Sequence, residues 1–278
     1  MRYEISRRHF LGASAAGLAA AVRLGANPLG LPIGCQVYPV SKQLLQDFPG
    51  TLKELAGIGY KTIEMCSPSG YGWKPLAEMK TADLKKTIEA AGLKCESSHF
   101  QAKELRESLD ERIAFAKELG LKQMVLSTFG LPKEAKLSDW SKAAEDLNKI
   151  GEKVQKAGMQ QVFHNHNFEF VEIDGVLVYD HLMRSLDGKL VKMQFQVSVI
   201  NQGYKAATYF AKYPGRFQSI HLQDWSATEK KQVAVGQGSV DWKELFAAAK
   251  KAGVKNYFVE LNMDALKASY PYLHALKV

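Results

Sequence analysis

From residue 31 onward, short runs of β-branched, aromatic and other apolar residues alternate with longer stretches whose apolar positions recur at helical spacing. The strand-like runs cover residues 33–40, 61–66, 94–100, 123–128, 161–166, 192–199, 217–223 and 256–261. Helical patterns lie between them at residues 52–58, 80–91, 105–119, 140–157, 204–213 and 242–252. Gly59, Gly92, Gly120, Gly158 and Gly253 each stand between a helical pattern and the next strand, the sign of a left-handed C-cap. Strands separated by helices, with no tandem hairpin signals, predict a parallel sheet. In a chain of 278 residues the expected solution is a single-domain α/β fold, a (β/α)8 TIM barrel over residues 31–278. A doubly wound open sheet is the alternative, but it lacks a glycine-rich phosphate loop after the first strand.

Period-2 alternation tells which strand residues face the barrel axis. It puts Gln36 and Tyr38 there from the first strand, Glu64 from the second and His99 from the third. His164 and His166 share a face on the fifth, Gln194, Gln196 and Ser198 on the sixth, and Ser219 and His221 on the seventh. Phe258, Glu260 and Asn262 share one on the eighth. Barrel interiors normally fill with Val, Ile and Leu, and burying polar groups costs free energy unless they bind something. Four of seven histidines at strand C-termini therefore mark a candidate site at the mouth, where barrel chemistry resides.

Composition adds exclusions. The net charge is +8, of which +3 falls in the first 26 residues (Arg2, Arg7, Arg8 and Arg23 against Glu4), leaving +5 dispersed over the rest. No basic face is concentrated, so nucleic acid is not expected as a partner. The apolar run 10–22 after Arg7-Arg8 is shorter than the roughly 20 residues of a membrane span. It suits a signal peptide, and Ser6-Arg7-Arg8-His9-Phe10-Leu11 resembles the twin-arginine export motif. Residues 1–30 are accordingly read as signal and linker, and the protein as periplasmic or otherwise exported, without stable membrane association after cleavage. Cys35, Cys66 and Cys95 have no metal-site spacing and read as small buried apolar residues.

Several segments together resemble the sugar phosphate isomerase/epimerase superfamily of xylose-isomerase-like barrels. They are residues 163–170 (Phe-His-Asn-His-Asn-Phe-Glu-Phe), Tyr213-Pro214-Gly215-Arg216 leading to His221-Leu222-Gln223-Asp224, Gly236-Gln237-Gly238 before Val240-Asp241-Trp242, and Val259-Glu260. The resemblance implies a divalent metal held by residues on strands five to eight. Carried over, it gives His164, His221 and Glu260 as ligands, with His166, His99 or Gln196 as fillers, while Ser198 stands where relatives carry Asp. Imidazole ligands point to one ion of Mn, Co, Ni or Zn rather than Mg.

The implied activity is a carbohydrate isomerase or epimerase that abstracts a proton next to a carbonyl of a non-phosphorylated sugar. Glu260, His164 and His166 are its catalytic candidates, and Gln36, Tyr38, Glu64, His99, Gln196, Arg216 and Trp225 its substrate-binding ones. Two alternatives stay open: a lyase acting on 3-keto-glycosides by the same proton abstraction, and a non-catalytic sugar-binding barrel. An endonuclease IV-like reading is disfavoured by the short ligand count and dispersed charge. The expected partner is a small-molecule carbohydrate, and a homo-oligomer is left open.

Overall fold

The computed structural model describes residues 27–278, so the segment read as an export signal lies outside the described residues. Eight parallel strands close into one barrel: β1 Gly34–Gln36, β2 Thr62–Cys66, β3 Lys94–Phe100, β4 Gln123–Leu126, β5 Gln160–His164, β6 Val191–Gln196, β7 Phe217–Leu222 and β8 Asn256–Val259. They pair in sequence order, with β8 returning to β1 through Gly34↔Phe258 and Cys35↔Val259. Each strand is followed by a layer helix: α1 Phe48–Ile58, α2 Thr81–Ala90, α3 Leu109–Leu119, α4 Leu137–Lys156, α5 Val178–Ser185, α6 Ala206–Lys212, α7 Trp242–Ala252 and α8 Met263–Ala275. The chain is thus a closed TIM barrel, as the alternation of patterns required.

The glycine-ended helices stop for a shared reason. Gly120 and Gly253 hold φ of 94° and 76°, a left-handed conformation that costs an L side chain free energy. The apolar core fills the shell between strands and helices, with Ile63, Phe163, Phe195, Ile220, Leu266 and Phe246 fully or almost fully buried. Cys35, Cys66 and Cys95 are free and buried there, as their sequence context suggested. At the start of β8, Tyr257 Oη donates to the carbonyls of Pro28 and Leu31 at 3.1 and 3.2 Å, tying residues 28–31 to the barrel. Among the described residues, no helix is long and apolar enough to cross a membrane.

Inside the barrel the side chains are largely polar. Glu64, Ser97, Gln123, Gln194 and Ser219 are all fully buried. Gln123 Nε2 donates to Ser97 Oγ at 2.7 Å, and Gln194 Nε2 to Ser219 Oγ at 3.0 Å. Two ladders also slip by a residue inside this layer, β2/β3 between Ile63 and Glu64 and β6/β7 between Met193 and Gln194. Such bulges re-aim side chains next to functional sites.

Candidate active site

The centre of the polar interior is the Glu64 carboxylate on β2, which is fully buried, accepts from three side chains and faces a fourth. Oε1 takes Ser97 Oγ and, at 2.8 Å, Gln194 Nε2. Oε2 takes His221 Nε2 in a short contact and lies 3.2 Å from His99 Nε2. Burial alone would raise the Glu64 pKa, but His99 and His221 outweigh it and hold the carboxyl well below its usual range. His99 Nε2 is also 2.7 Å from Gln194 Oε1.

Above Glu64 the rings of His99, His164 and His221 form a triangle, with centroid separations of 4.9, 4.6 and 5.1 Å. Burial, and then its imidazole neighbours, drives the His164 pKa well below the ordinary value, so this ring is neutral. Burial also disfavours the His221 cation, but Glu64 and Glu260 outweigh that effect and raise its pKa to about 10.

Glu260, just past β8, lies nearer the opening with its side chain 14% exposed. Oε2 is 3.2 Å from His221 Nδ1, a spacing that lacks hydrogen-bond alignment. The same oxygen accepts from Gln223 Nε2 at 2.8 Å and from Gln196 Nε2 in a short contact. Its pKa is lowered because His221, with Gln196 adding to it, outweighs burial, so Glu260 is an ionised base held by neutral donors.

On the opposite rim His166 packs edge-on against His164 at 4.8 Å and stacks on the exposed ring of Phe168 at 5.0 Å. The segment from His164 to Glu169 carries buried polar atoms with no hydrogen-bond partner: His164 Nδ1, Asn165 Nδ2, His166 Nδ1, Asn167 Oδ1 and Glu169 Oε1. Unpaired buried polar atoms each cost about 1–3 kcal/mol, and this concentration in one loop marks where a ligand is received.

The model of the family described as "Xylose isomerase-like TIM barrel" matches residues 52–273. The chain belongs to that family. An inosose dehydratase of Lacticaseibacillus casei (strain BL23) is 24% identical over 299 aligned residues, spanning 94% of this chain and 95% of the relative. The crystal structure of a sugar phosphate isomerase/epimerase from Parabacteroides distasonis ATCC 8503 is 26% identical, with a TM-score of 0.75 over 88% of this chain and 94% of that one. The IOLI protein with a binding zinc atom shares the fold at 16% identity, with a TM-score of 0.63 over 88% of this chain and 94% of that one.

For this xylose isomerase-like barrel the donor set suits a divalent ion. His99, His164 and His221 are buried, offer ring nitrogens within 4.8 Å of one another, and include the orphaned Nδ1 of His164. His164 and His221 are two of the three ligands the resemblance implied, and His99, read from sequence as a substrate contact and one of three possible fillers, completes the trio. Glu260 stands beside it, against His221 Nδ1. The sixth strand needs a second revision. Ser198 lies past β6, in the turn Val197–Gln202, whereas Gln196 pairs in register with His221 and reaches Glu260. Gln196 therefore fills the place that the sequence reading gave to Ser198.

Other expected contacts fall elsewhere. Arg216 precedes β7 at the N-terminal end of the barrel, where its guanidinium donates to the carbonyls of Met183 and Leu186 at 2.7 and 3.0 Å. It clamps α5 and is too far round the barrel to meet a substrate at the mouth, because strand starts and strand ends lie on opposite faces. Gln36 is fully buried and donates to Cys66 Sγ at 3.4 Å, so it braces β1 against β2. Tyr38 is 52% exposed on the rim and meets Tyr71 edge-on at 5.7 Å. Trp225 sits half-buried in a ribbon of Asp224–Ser226 with Lys231–Val233.

Asp224 and Glu169 serve the backbone. Asp224 ties its own loop, and Glu169 Oε2 accepts from the amide of His166 at 2.7 Å. Gln194, Ser97 and Gln223 were not singled out from sequence as site residues; period-2 alternation had placed Gln194 inward, but nothing in the sequence pairs it with Glu64.

Burial pushes the Glu169 carboxyl up to about 8. Folding therefore favours its protonated form. That contribution is complete below the ordinary value of 4.5, declines as pH rises from there, and is gone above about 8. A Glu169→Gln variant keeps the shape of the neutral acid. Its melting temperature should equal the parent's at pH 5 and exceed it at pH 8.5; an equal difference at both pH values would remove Glu169 from this role.

Proposed function

We propose that the protein is a carbon–oxygen lyase of non-phosphorylated keto-sugars or keto-cyclitols, using the proton abstraction it shares with isomerases and epimerases of its family. The observation carrying this reading is Glu260: one ionised carboxylate near the opening, held by Gln196 and Gln223 beside the histidine cluster. Its carboxylate takes the proton from the carbon next to the substrate carbonyl, and the C–H electron pair moves toward the carbonyl oxygen as an enediolate. The enediolate then expels the substituent on the next carbon, and Glu260 returns its proton to the departing oxygen. The bond broken is C–O, and the products are an unsaturated ketone and water or an alcohol.

Epimerisation would need a second base on the other face of that carbon. The fifth strand supplies His164 there, whose lowered pKa makes it a poor base, and Glu64 is committed to its donors below. The inosose dehydratase relative supports elimination over epimerisation. A divalent ion held by His99, His164 and His221 would supply polarisation of the carbonyl oxygen when bound. The site clusters histidines and glutamates without a lysine or arginine among the contacts described above, which favours a neutral substrate over a sugar phosphate. The twin-arginine reading of residues 1–26 belongs with this proposal, since glycosides and free sugars are met outside the cytoplasm.

The test is incubation with an inosose in deuterium oxide, followed by proton NMR. Loss of the signal beside the carbonyl together with a new vinylic signal supports the lyase. Exchange or inversion without a vinylic signal would make the protein an epimerase, and neither change with bound sugar would leave a binding barrel.

A further inference from the structure

The hydrogen-bond chain under the histidines fixes more than their positions. The Glu64 carboxylate can only accept, so the Gln194 group facing it at 2.8 Å must be the amide NH2. The Gln194 oxygen then faces His99, 2.7 Å from Nε2. An amide oxygen also only accepts, so the proton of neutral His99 resides on Nε2 and its lone pair on Nδ1. The same carboxylate receives His221 through Nε2. His99 and His221 lie parallel, 4° apart in plane, with both Nε2 atoms committed downward to Glu64 or Gln194.

We propose that Glu64 and Gln194 are positioning residues that hold the Nε2–H groups of His99 and His221, so that Nδ1 is the nitrogen each ring offers, with His164, to a borderline divalent ion such as Zn²⁺ or Co²⁺ in preference to Mg²⁺ or Mn²⁺. The proposal rests on the metal-assisted form of the reading above. Of the three fillers that the resemblance left open, it selects the imidazole from β3. Nitrogen donors with a single nearby carboxylate favour later first-row ions, whereas Mg²⁺ and Mn²⁺ favour oxygen-rich sites. A carboxylate behind a ligating histidine orients the ring and raises its basicity. Here one carboxylate serves two rings directly and reaches one of them again through an amide.

The test uses the full chain, stripped of metal, and reads binding rather than turnover. In protein carrying ring-15N histidine, a two-bond 1H–15N correlation should show His99 (assigned by the peak lost in His99→Gln) protonated at Nε2; protonation at Nδ1 overturns the proposal. Cobalt(II) alone should bind about a hundredfold or more tightly than magnesium(II) in competition. Gln194→Met should weaken cobalt(II) about 10–100-fold and shift its visible absorption bands. Equal affinity for the two ions, or unchanged cobalt(II) affinity in a folded Gln194→Met protein, refutes it. Should that variant unfold, the tautomer measurement on the parent chain decides alone. Cobalt(II) binding as described without keto-sugar turnover would sink the proposed function and leave this inference standing; turnover with Nδ1-protonated His99 would do the reverse.

Discussion

Glu260→Gln should abolish exchange of the proton beside the carbonyl, lowering turnover by about 10²–10⁴-fold, the usual yield of a positioned general base. The substitution keeps size and shape but removes the charge and the basic oxygen. It also sets an amide against Gln196 Nε2 and Gln223 Nε2, which now donate to Glu260 Oε2. An amide oxygen in the Oε2 position accepts from both, so the three amides keep their present orientation. Gln223 Nε2 also donates to the Glu260 carbonyl at 3.0 Å, and Gln196 Oε1 faces the amide of Ser198 at 3.5 Å. The defect should therefore fall on kcat, with substrate binding little changed. The measurement is the rate of deuterium incorporation at saturating keto-sugar, with circular dichroism to show that the barrel persists. Turnover within threefold of the parent would move the base elsewhere, and His166, on the facing rim, would be the next residue to remove.

Much of the fold was legible because its cause is local. Helical and strand periods, and a glycine after five of the helices, need no knowledge of distant residues. The errors share a direction. The first, fourth, fifth, sixth, seventh and eighth strands were all read as running past their true C-terminal ends. Alternation of polar and apolar residues continues into the βα loops there, as at His166 after β5 and Tyr38 after β1, but the ladder has ended. Hydrogen-bond pairing stops a strand, and pairing is not written in one strand's pattern. The helix expected over 105–119 is divided at Ser108 into Ala102–Glu107 and α3, with Glu104 turned to accept from Ser67 Oγ at 2.6 Å.

The site shows the same division. Alternation alone carried His99, His164, His221 and Glu260 to one mouth. Which of them meet was set by register across the barrel: His164 beside Gln194, and Gln196 beside His221. The two one-residue slips, at Glu64 and at Gln194, fall on the residues that organise the cluster. No sequence period announces such a slip, so Glu64 read as a substrate contact when its carboxylate is spent on neighbours. Arg216 misled for a related reason. Its motif neighbours His221 in sequence, yet a six-residue strand separates the two faces of the barrel between them.

The Gly-Gln-Gly turn beyond β7 leads to the largest stability effect. Asp224 is 2% exposed and its two carboxylate oxygens accept five N–H groups. Oδ1 takes the amides of Trp225 at 2.9 Å and Val240 at 3.2 Å. Oδ2 takes the amides of Gly236 and Gly238, each at 3.0 Å, and the Trp242 indole at 2.9 Å. The two glycines serve different needs. Gly236 holds φ at 89°, while a Cβ on Gly238 would lie 2.2 Å from Asp224 Oδ1. One side chain thus ties the end of β7, the following loop and the start of α7 into a unit three residues beyond His221. Asp224→Ala strands these donors together, and the expected cost is about 3–5 kcal/mol, the range for breaking a buried charged network. Asp224→Asn should do little better, because its NH2 must face amides that are themselves donors. Denaturant unfolding of both variants gives the loss directly, and proteolysis should find new cuts between residues 226 and 240. A loss below 1 kcal/mol in Asp224→Ala would mean that water satisfies these donors, and that the loop after β7 holds its shape without the carboxylate.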